Sequence, residues 1–335
     1  MKTKAKRQGG YVLILVLALL AVGSFVALRF AERNDALRRS ALGLAQYVEA
    51  QQQAASALAA ARYWMATRPF HPMGHAEGQR VLREDGRWYR HPNGAWVAVQ
   101  DHRGLLSVNA LDREALLRLL VSEGLAPQAA QAWLDVLQDY QDTDALRRLN
   151  GAERDEYRAL GLPPPRNDWL ISLRELEQLP RWREEPAIAR RVSRWLHTAI
   201  NNQFNINTAA PVVLKARFPG MSDVQLRIVE GLRQADQLRQ VRSAAAATDL
   251  PLDEDTVILV PGYTSRITVW APGLPQALDY NLRLTPAGQD GPWTVREQQP
   301  APRPAALDEP SRAALFPLFQ PVQATAPAAA NPAQR

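Results

Sequence analysis

Residues 1–28 read MKTKAKRQGGYVLILVLALLAVGSFVAL: a basic leader, Gly9-Gly10, and then 18 uncharged residues from Tyr11 to Leu28. An apolar helix of that length sits at the lower edge of what crosses a bilayer core of about 30 Å. Lys2, Lys4, Lys6 and Arg7 place residues 1–10 on the cytoplasmic side, because Lys/Arg-rich flanks tend to stay there. Arg29, Arg33, Arg38 and Arg39 follow the run, so the two flanks tie in Lys/Arg, although Glu32 and Asp35 interleave. The competing reading is a secretory signal cut near Ala21-Val22-Gly23. Against it, the run is longer than a signal core of about 7–15 residues. Helical character also continues beyond it. No proline occurs between Tyr11 and Arg68, and Leu37, Ala41, Leu44, Val48 and Ala55 recur at helical spacing. The expectation is one helix over residues 11–66, roughly 80 Å long. Residues 11–28 would lie in lipid and 29–66 against a soluble domain.

The chain has 335 residues, 46% apolar, which suggests about two domains with a real core. It has no cysteine, which excludes disulfide scaffolds, thiolate metal sites and cysteine nucleophiles. The net charge of +6 invites a nucleic-acid reading, but the leader supplies four of those cations; without it 36 basic residues face 34 acidic ones. Residues 67–85 read as a loop. Arg87–His91 and Ala95–Gln100 read as strands around a Pro92-Asn93-Gly94 turn, with Leu105–Asn109 as a third strand. Residues 112–200 read as helical, interrupted at Pro163-Pro164-Pro165. Arg266–Trp270, Leu278–Leu284 and Trp293–Glu297 complete the strands. The fold class is therefore α+β: a long helix on a small antiparallel sheet, with 67–111 and 201–299 flanking an inserted α-helical domain over 112–200. Residues 300–335 hold 8 of the 25 prolines and read as a disordered tail, with one apolar island at Ala313–Val322.

A short basic leader ending in Gly9-Gly10, followed by an apolar run and one long helix, resembles a type IV pilin-like precursor. The resemblance implies cleavage by a prepilin peptidase after Gly10 (Gly9 being the other register) and methylation of the new N-terminal Tyr11. Pilin-like proteins place Glu at the fifth mature position; here it is Leu15, or Ile14 in the other register. An intramembrane carboxylate needs a partner, in pilins the terminal amine of a neighbouring subunit. The pilin-like family that typically lacks this Glu is minor pseudopilin K of type II secretion.

Two segments look alike, one starting at Ser107-Val108-Asn109 and one at Asn205-Ile206-Asn207. Each runs from short polar residues, suited to capping a helix, into helix, Gly turn and helix. Such pairs resemble those of pseudopilin K and also the helix-hairpin-helix DNA-binding unit. Phosphate binding by that unit uses a Gly-rich turn, whereas Pro219-Gly220-Met221-Ser222 has one glycine and is followed by Asp223. Packed helix pairs are the plainer reading, with membrane-anchored DNA uptake as the alternative function.

Asp139, Asp142 and Asp144, followed by Asn150-Gly151-Ala152-Glu153, crowd carboxylates on one loop. Three or four such groups with carbonyls and water would satisfy calcium. The spacing is not an EF-hand. In pseudopilin K an Asp-x-Asp followed by Gly-Ala-Glu binds calcium, which the resemblance carries to Asp142, Asp144 and Glu153, with Asp139 a weaker fourth. Arg147 and Arg148 depart from that pattern, and an acidic helix end balanced by arginine remains the other reading. The five histidines are scattered, and no P-loop, Gly-x-Ser-x-Gly or Gly-x-Gly-x-x-Gly occurs, so no enzyme is expected.

Taken together, the resemblance implies a pseudopilus tip subunit, topmost because its head is bulky. It would be single-pass in the inner membrane with a periplasmic domain. Its partners would be minor pseudopilins I and J, and through them H and G, with no nucleic acid or small-molecule substrate. A secreted carboxylate-dependent hydrolase is the remaining alternative.

Overall fold

A computed structural model describes residues 10–110, 112–200, 203–303 and 313–320. The leader over 1–9 and the tail stretches 304–312 and 321–335 lie outside the described residues. Helix α1 runs unbroken from Gly10 to Thr67, 58 residues or about 87 Å. Up to Glu49 it is almost wholly exposed, and from Ala50 it docks. Its docked face is Ala50, Ala54, Ala57, Ala61 and Trp64, spaced at three and four residues, so one stripe points at the sheet. Alanine lets the two backbones approach. Gly273, at φ +104°, completes that approach, since a Cβ there would stand 3.1 Å from Ala50 Cβ.

After α1 come β1 (Phe70–His71), β2 (Gly74–Glu77) and β3 (Arg80–Arg83), a small antiparallel sheet. The expected loop over 67–85 is thus partly strand. Gly74 opens β2, where a Cβ would fall 1.8 Å from the Leu82 carbonyl oxygen of β3. Next are β4 (Asp85–Arg90) and β5 (Trp96–Asp101), joined by the expected turn; there Asn93 Oδ1 accepts from Ala95 N–H and its Nδ2 donates to Gln53 O of α1. The third expected strand shrinks to β6 (Leu106–Ser107).

The helical region follows with α2 (Arg113–Ser122), α3 (Pro127–Gln141), α4 (Arg154–Ala159), α5 (Pro180–Glu184) and α6 (Pro186–Ser193), then β7 (Leu196–His197), parallel to β6. It does not stop at residue 200. Helices α7 (Pro211–Arg217), α8 (Asp223–Gln234) and α9 (Val241–Thr248) share one apolar core with it, from Leu106 to Leu259. The two hairpins pack on each other through α2 and α7. The helical core thus runs past the expected boundary at residue 200.

The chain returns to the sheet as β8 (Thr264–Trp270), β9 (Ala277–Leu284) and β10 (Trp293–Ala301), and ends its described part with β11 (Ala314–Leu315). The order is β10-β9-β8-β5-β4-β11, antiparallel except for β11 on β4. The six strands and α1 enclose the second core. The reading of 300–335 as wholly disordered needs correction at two places. Strand β10 reaches Ala301, and residues 313–320 are docked, with Phe316 fully buried beside Trp64 and Tyr89. The described part of the apolar island, residues 313–320, packs into this chain's own core. Arg266 of β8 joins the two cores, donating to the carbonyls of Arg194 and Leu196 at 3.0 and 2.7 Å.

Candidate functional site

Helix α3 stops at Gln141 because Asp142 turns extended, at ψ 164°. Its N–H still bonds Gln138 O, and its side chain faces the loop that follows. Asp144 Oδ1 accepts from Leu146 N–H at 2.8 Å, which bends the loop back. Glu153 precedes α4, and its own N–H is held by Glu156 Oε2 at 3.0 Å. Arg147 in turn pins Glu156 at 2.8 Å. These contacts bring Asp142, Asp144 and Glu153 together, with one oxygen of each within 4.8 Å of the others.

Asp139 stands apart from that trio. It is fully buried, and its carboxylate is taken up by Arg148, through Nη1 at 2.5 Å and the backbone N–H at 3.1 Å. The weaker fourth carboxylate of the sequence thus lies outside the trio and holds Arg148, which also pairs with Asp142 Oδ2. Gly151 closes this turn. A Cβ there would lie 1.8 Å from Asp139 Oδ2. Ala152 is buried in the helical core, so each position of Gly-Ala-Glu has a separate physical reason.

The electrostatics suit a cation. Asp142 Oδ1 and Glu153 Oε1 are buried without hydrogen-bond partners, a costly state for acceptors. Burial, then Asp139, Asp142, Asp144 and Glu156, push the Glu153 carboxyl up to about 7. Oxygens 2.3–2.6 Å from one calcium ion stand within about 5 Å of each other, so the trio fits that ion's coordination shell. Calcium would supply positive charge that favours the ionised form of Glu153. The protein's part is to hold the loop between α3 and α4 in this shape.

The two Asn-containing segments have a common role that differs from helix capping. Asn109 Nδ2 donates to the carbonyls of Leu170 and Thr198, and Asn207 Nδ2 to those of Leu238 and Leu259. Ser107 Oγ accepts from Asn109 N–H, and Asn205 Oδ1 from Asn207 N–H. Each segment thus fastens two distant loops to one turn. The caps are elsewhere: Asp112 caps α2, while α7 starts with Pro211 after Ala210. At the second hairpin Lys215 pairs with Asp223 at 2.6 Å and Arg217 with Asp112 at 3.1 Å, so both cations just before the turn are matched by acids.

Two buried polar centres had no sequence signal. Asp101 accepts from Arg103 N–H, Gly262 N–H, Asn205 and Thr208, and burial raises it to about 6. Glu84 accepts from Ser265 and faces His75 Nδ1 at 2.6 Å. Both join residues far apart in sequence. The expected processing positions lie at the free end of α1, where Tyr11 and Leu15 are exposed.

Residues 91–198 match the family model described as type II secretion system (T2SS), protein K. A solved structure of the GspK-GspI-GspJ complex from the enterotoxigenic Escherichia coli type 2 secretion system is similar over 81% of this chain and 100% of that one, at 17% identity and a TM-score of 0.49. No curated protein matches. The matched family segment begins just before β5 and holds the acidic loop, Gly-Ala-Glu and all of α2 to α6. Residues 91–198 are thus similar to the type II secretion system protein K family, the family that the leader and the acidic loop resemble.

Proposed function

We propose that this chain is a minor pseudopilin of a type II secretion system, seated at the tip of the pseudopilus and serving protein export across the outer membrane. The observation that carries the proposal is the division of α1. One continuous helix presents an uncharged, exposed segment from Tyr11 to Leu28 and docks on the sheet only from Ala50 onward. The exposed segment anchors the protein once in the inner membrane, and the soluble part stands in the periplasm. Prepilin peptidase removes residues 1–10 and methylates Tyr11. The chain works by assembly and catalyses no reaction.

Leu37, Leu44 and Val48 form an exposed apolar stripe on α1 between anchor and domain. Minor pseudopilins I and J pack their own helices there, and link the subunit to H and G. The helical domain makes the head broad, which favours the topmost place. Calcium bound by Asp142, Asp144 and Glu153 stiffens that head. Co-expression with the I and J pseudopilins of the same system tests the reading. A three-subunit complex that survives purification, and that is lost when Leu44 and Val48 are both replaced by Asp, is expected. A chain that purifies alone under all conditions contradicts it.

A further inference from the structure

A cleft of about 340 Å³ lies where the helical domain meets the ends of β8, β9 and β10. Its walls include His102, Arg103, Ile200, Tyr263, Arg283 and Arg296, and among the described residues no carboxylate lines it. A second hollow of about 220 Å³ shares His102 and Arg296 with it. The one acid there, Glu297, is already engaged by Asn281 Nδ2 at 3.1 Å and by Ser172 Oγ.

The cations differ in how they are held. Arg103 is fixed, donating to the carbonyls of Val260 and Pro261 and to Gln203 Oε1. Arg283 and Arg296 have no carboxylate partner among the described residues. His102 is only 7% exposed; its Nε2 meets Asn281 Oδ1 at 3.3 Å, and its Nδ1 is buried with no partner. Burial, His197, Arg266 and Arg296 keep this imidazole neutral, so with Nε2 donating to Asn281 Oδ1 its Nδ1 is an acceptor, and the positive charge facing the cleft is that of the arginines.

We infer that this cleft binds an organic carboxylate. Guanidinium forks match carboxylates in shape and charge, and an acid-free wall leaves Arg283 and Arg296 free to use theirs. Ile200 and Tyr263, each about half exposed, give the rim an apolar surface for the ligand's carbon skeleton. The carboxylate could belong to a small acid or to an acidic residue of a protein segment. The inference does not depend on the pseudopilin assignment.

Titration of the full chain in detergent, with calcium present, tests it. The probes are glutarate, the peptide acetyl-Glu-Leu-Glu-amide, its Gln counterpart and sulfate. The readouts are calorimetry and the His102 ring nitrogen shift. Saturable binding of glutarate identifies a small acid as the source, and binding of the Glu peptide alone identifies a protein segment. Either is expected to weaken about tenfold in Arg283→Ala and in Arg296→Ala, with unchanged melting temperatures, and to leave Arg174→Ala unaffected. No binding by either carboxylate overturns the inference. So does equal binding of sulfate and the Gln peptide, or binding indifferent to the two arginine variants.

Discussion

Gly151 has no room for a side chain, because Asp139 Oδ2 occupies the position of a Cβ. Gly151→Ala is expected to destabilise the protein by about 1–3 kcal/mol in urea unfolding, the usual cost of forcing atoms into a packed site. Glu153 gives a pH signature. Its carboxyl is raised to about 7 in the fold, against an ordinary 4.5. The native state therefore holds this proton more tightly than the unfolded chain does. Stability of the calcium-free protein should fall as pH rises from 4.5 to 7, because the native state must then give up a proton that it favours. Melting temperatures across that range should show the loss. Glu153→Gln should flatten it, and so should calcium, by supplying positive charge that favours the ionised form of Glu153. The Asp-x-Asp and Gly-Ala-Glu pattern was legible at this scale because all its members lie within 15 residues. Asp139 stands outside the trio because Arg148 folds back onto it, which sequence spacing does not reveal. Asp101 and Glu84 left no trace, since their partners are up to 181 positions away.

The elements that could be read were those with a strong local period. Helix α1, the β4–β5 hairpin and strands β8, β9 and β10 all show their pattern in consecutive residues. The three short strands β1 to β3 were read as loop because two to four residues carry too little alternation, and because Gly74 signals a turn while serving a close strand contact. The docked tail was missed for another reason. Its composition is that of a linker, and only tertiary placement shows that Ala314 and Leu315 extend β4 while Phe316 enters the core. Phe316 N–H bonds Arg90 O at 2.9 Å, and its ring meets Trp64, Tyr89 and Phe319. Phe316→Ala should cost about 3–5 kcal/mol, as for other large buried aromatics. A chain ending at residue 312 should lose at least as much. Equal unfolding midpoints for the full-length and shortened chains would show that the segment contributes nothing. The opposite edge needs no such cover. Strand β10 has a bulge between Val295 and Glu297 and carries Arg296, Glu297 and Pro300, features that discourage pairing with another strand.

The whole molecule is a head of two joined cores carried on one helix. Arg266, bonded to Arg194 and Leu196, fastens the helical core to the sheet. In the proposed assembly nothing stacks above this head, so α1 has no need of the glutamate that would reach a preceding subunit's amine. Leu15→Glu is accordingly expected to leave secretion of the system's substrates unchanged, measured as exported protein per cell. A clear gain would show that the subunit takes an interior place. The central claim, that α1 is a processed pilin-like anchor, is tested most directly by intact mass and N-terminal sequencing of the protein from membranes, with and without prepilin peptidase. A methylated chain starting at Tyr11 only when the peptidase is present is the predicted result. A start near Ser24 that is indifferent to the peptidase would contradict it, since the apolar half of α1 would then be a discarded signal.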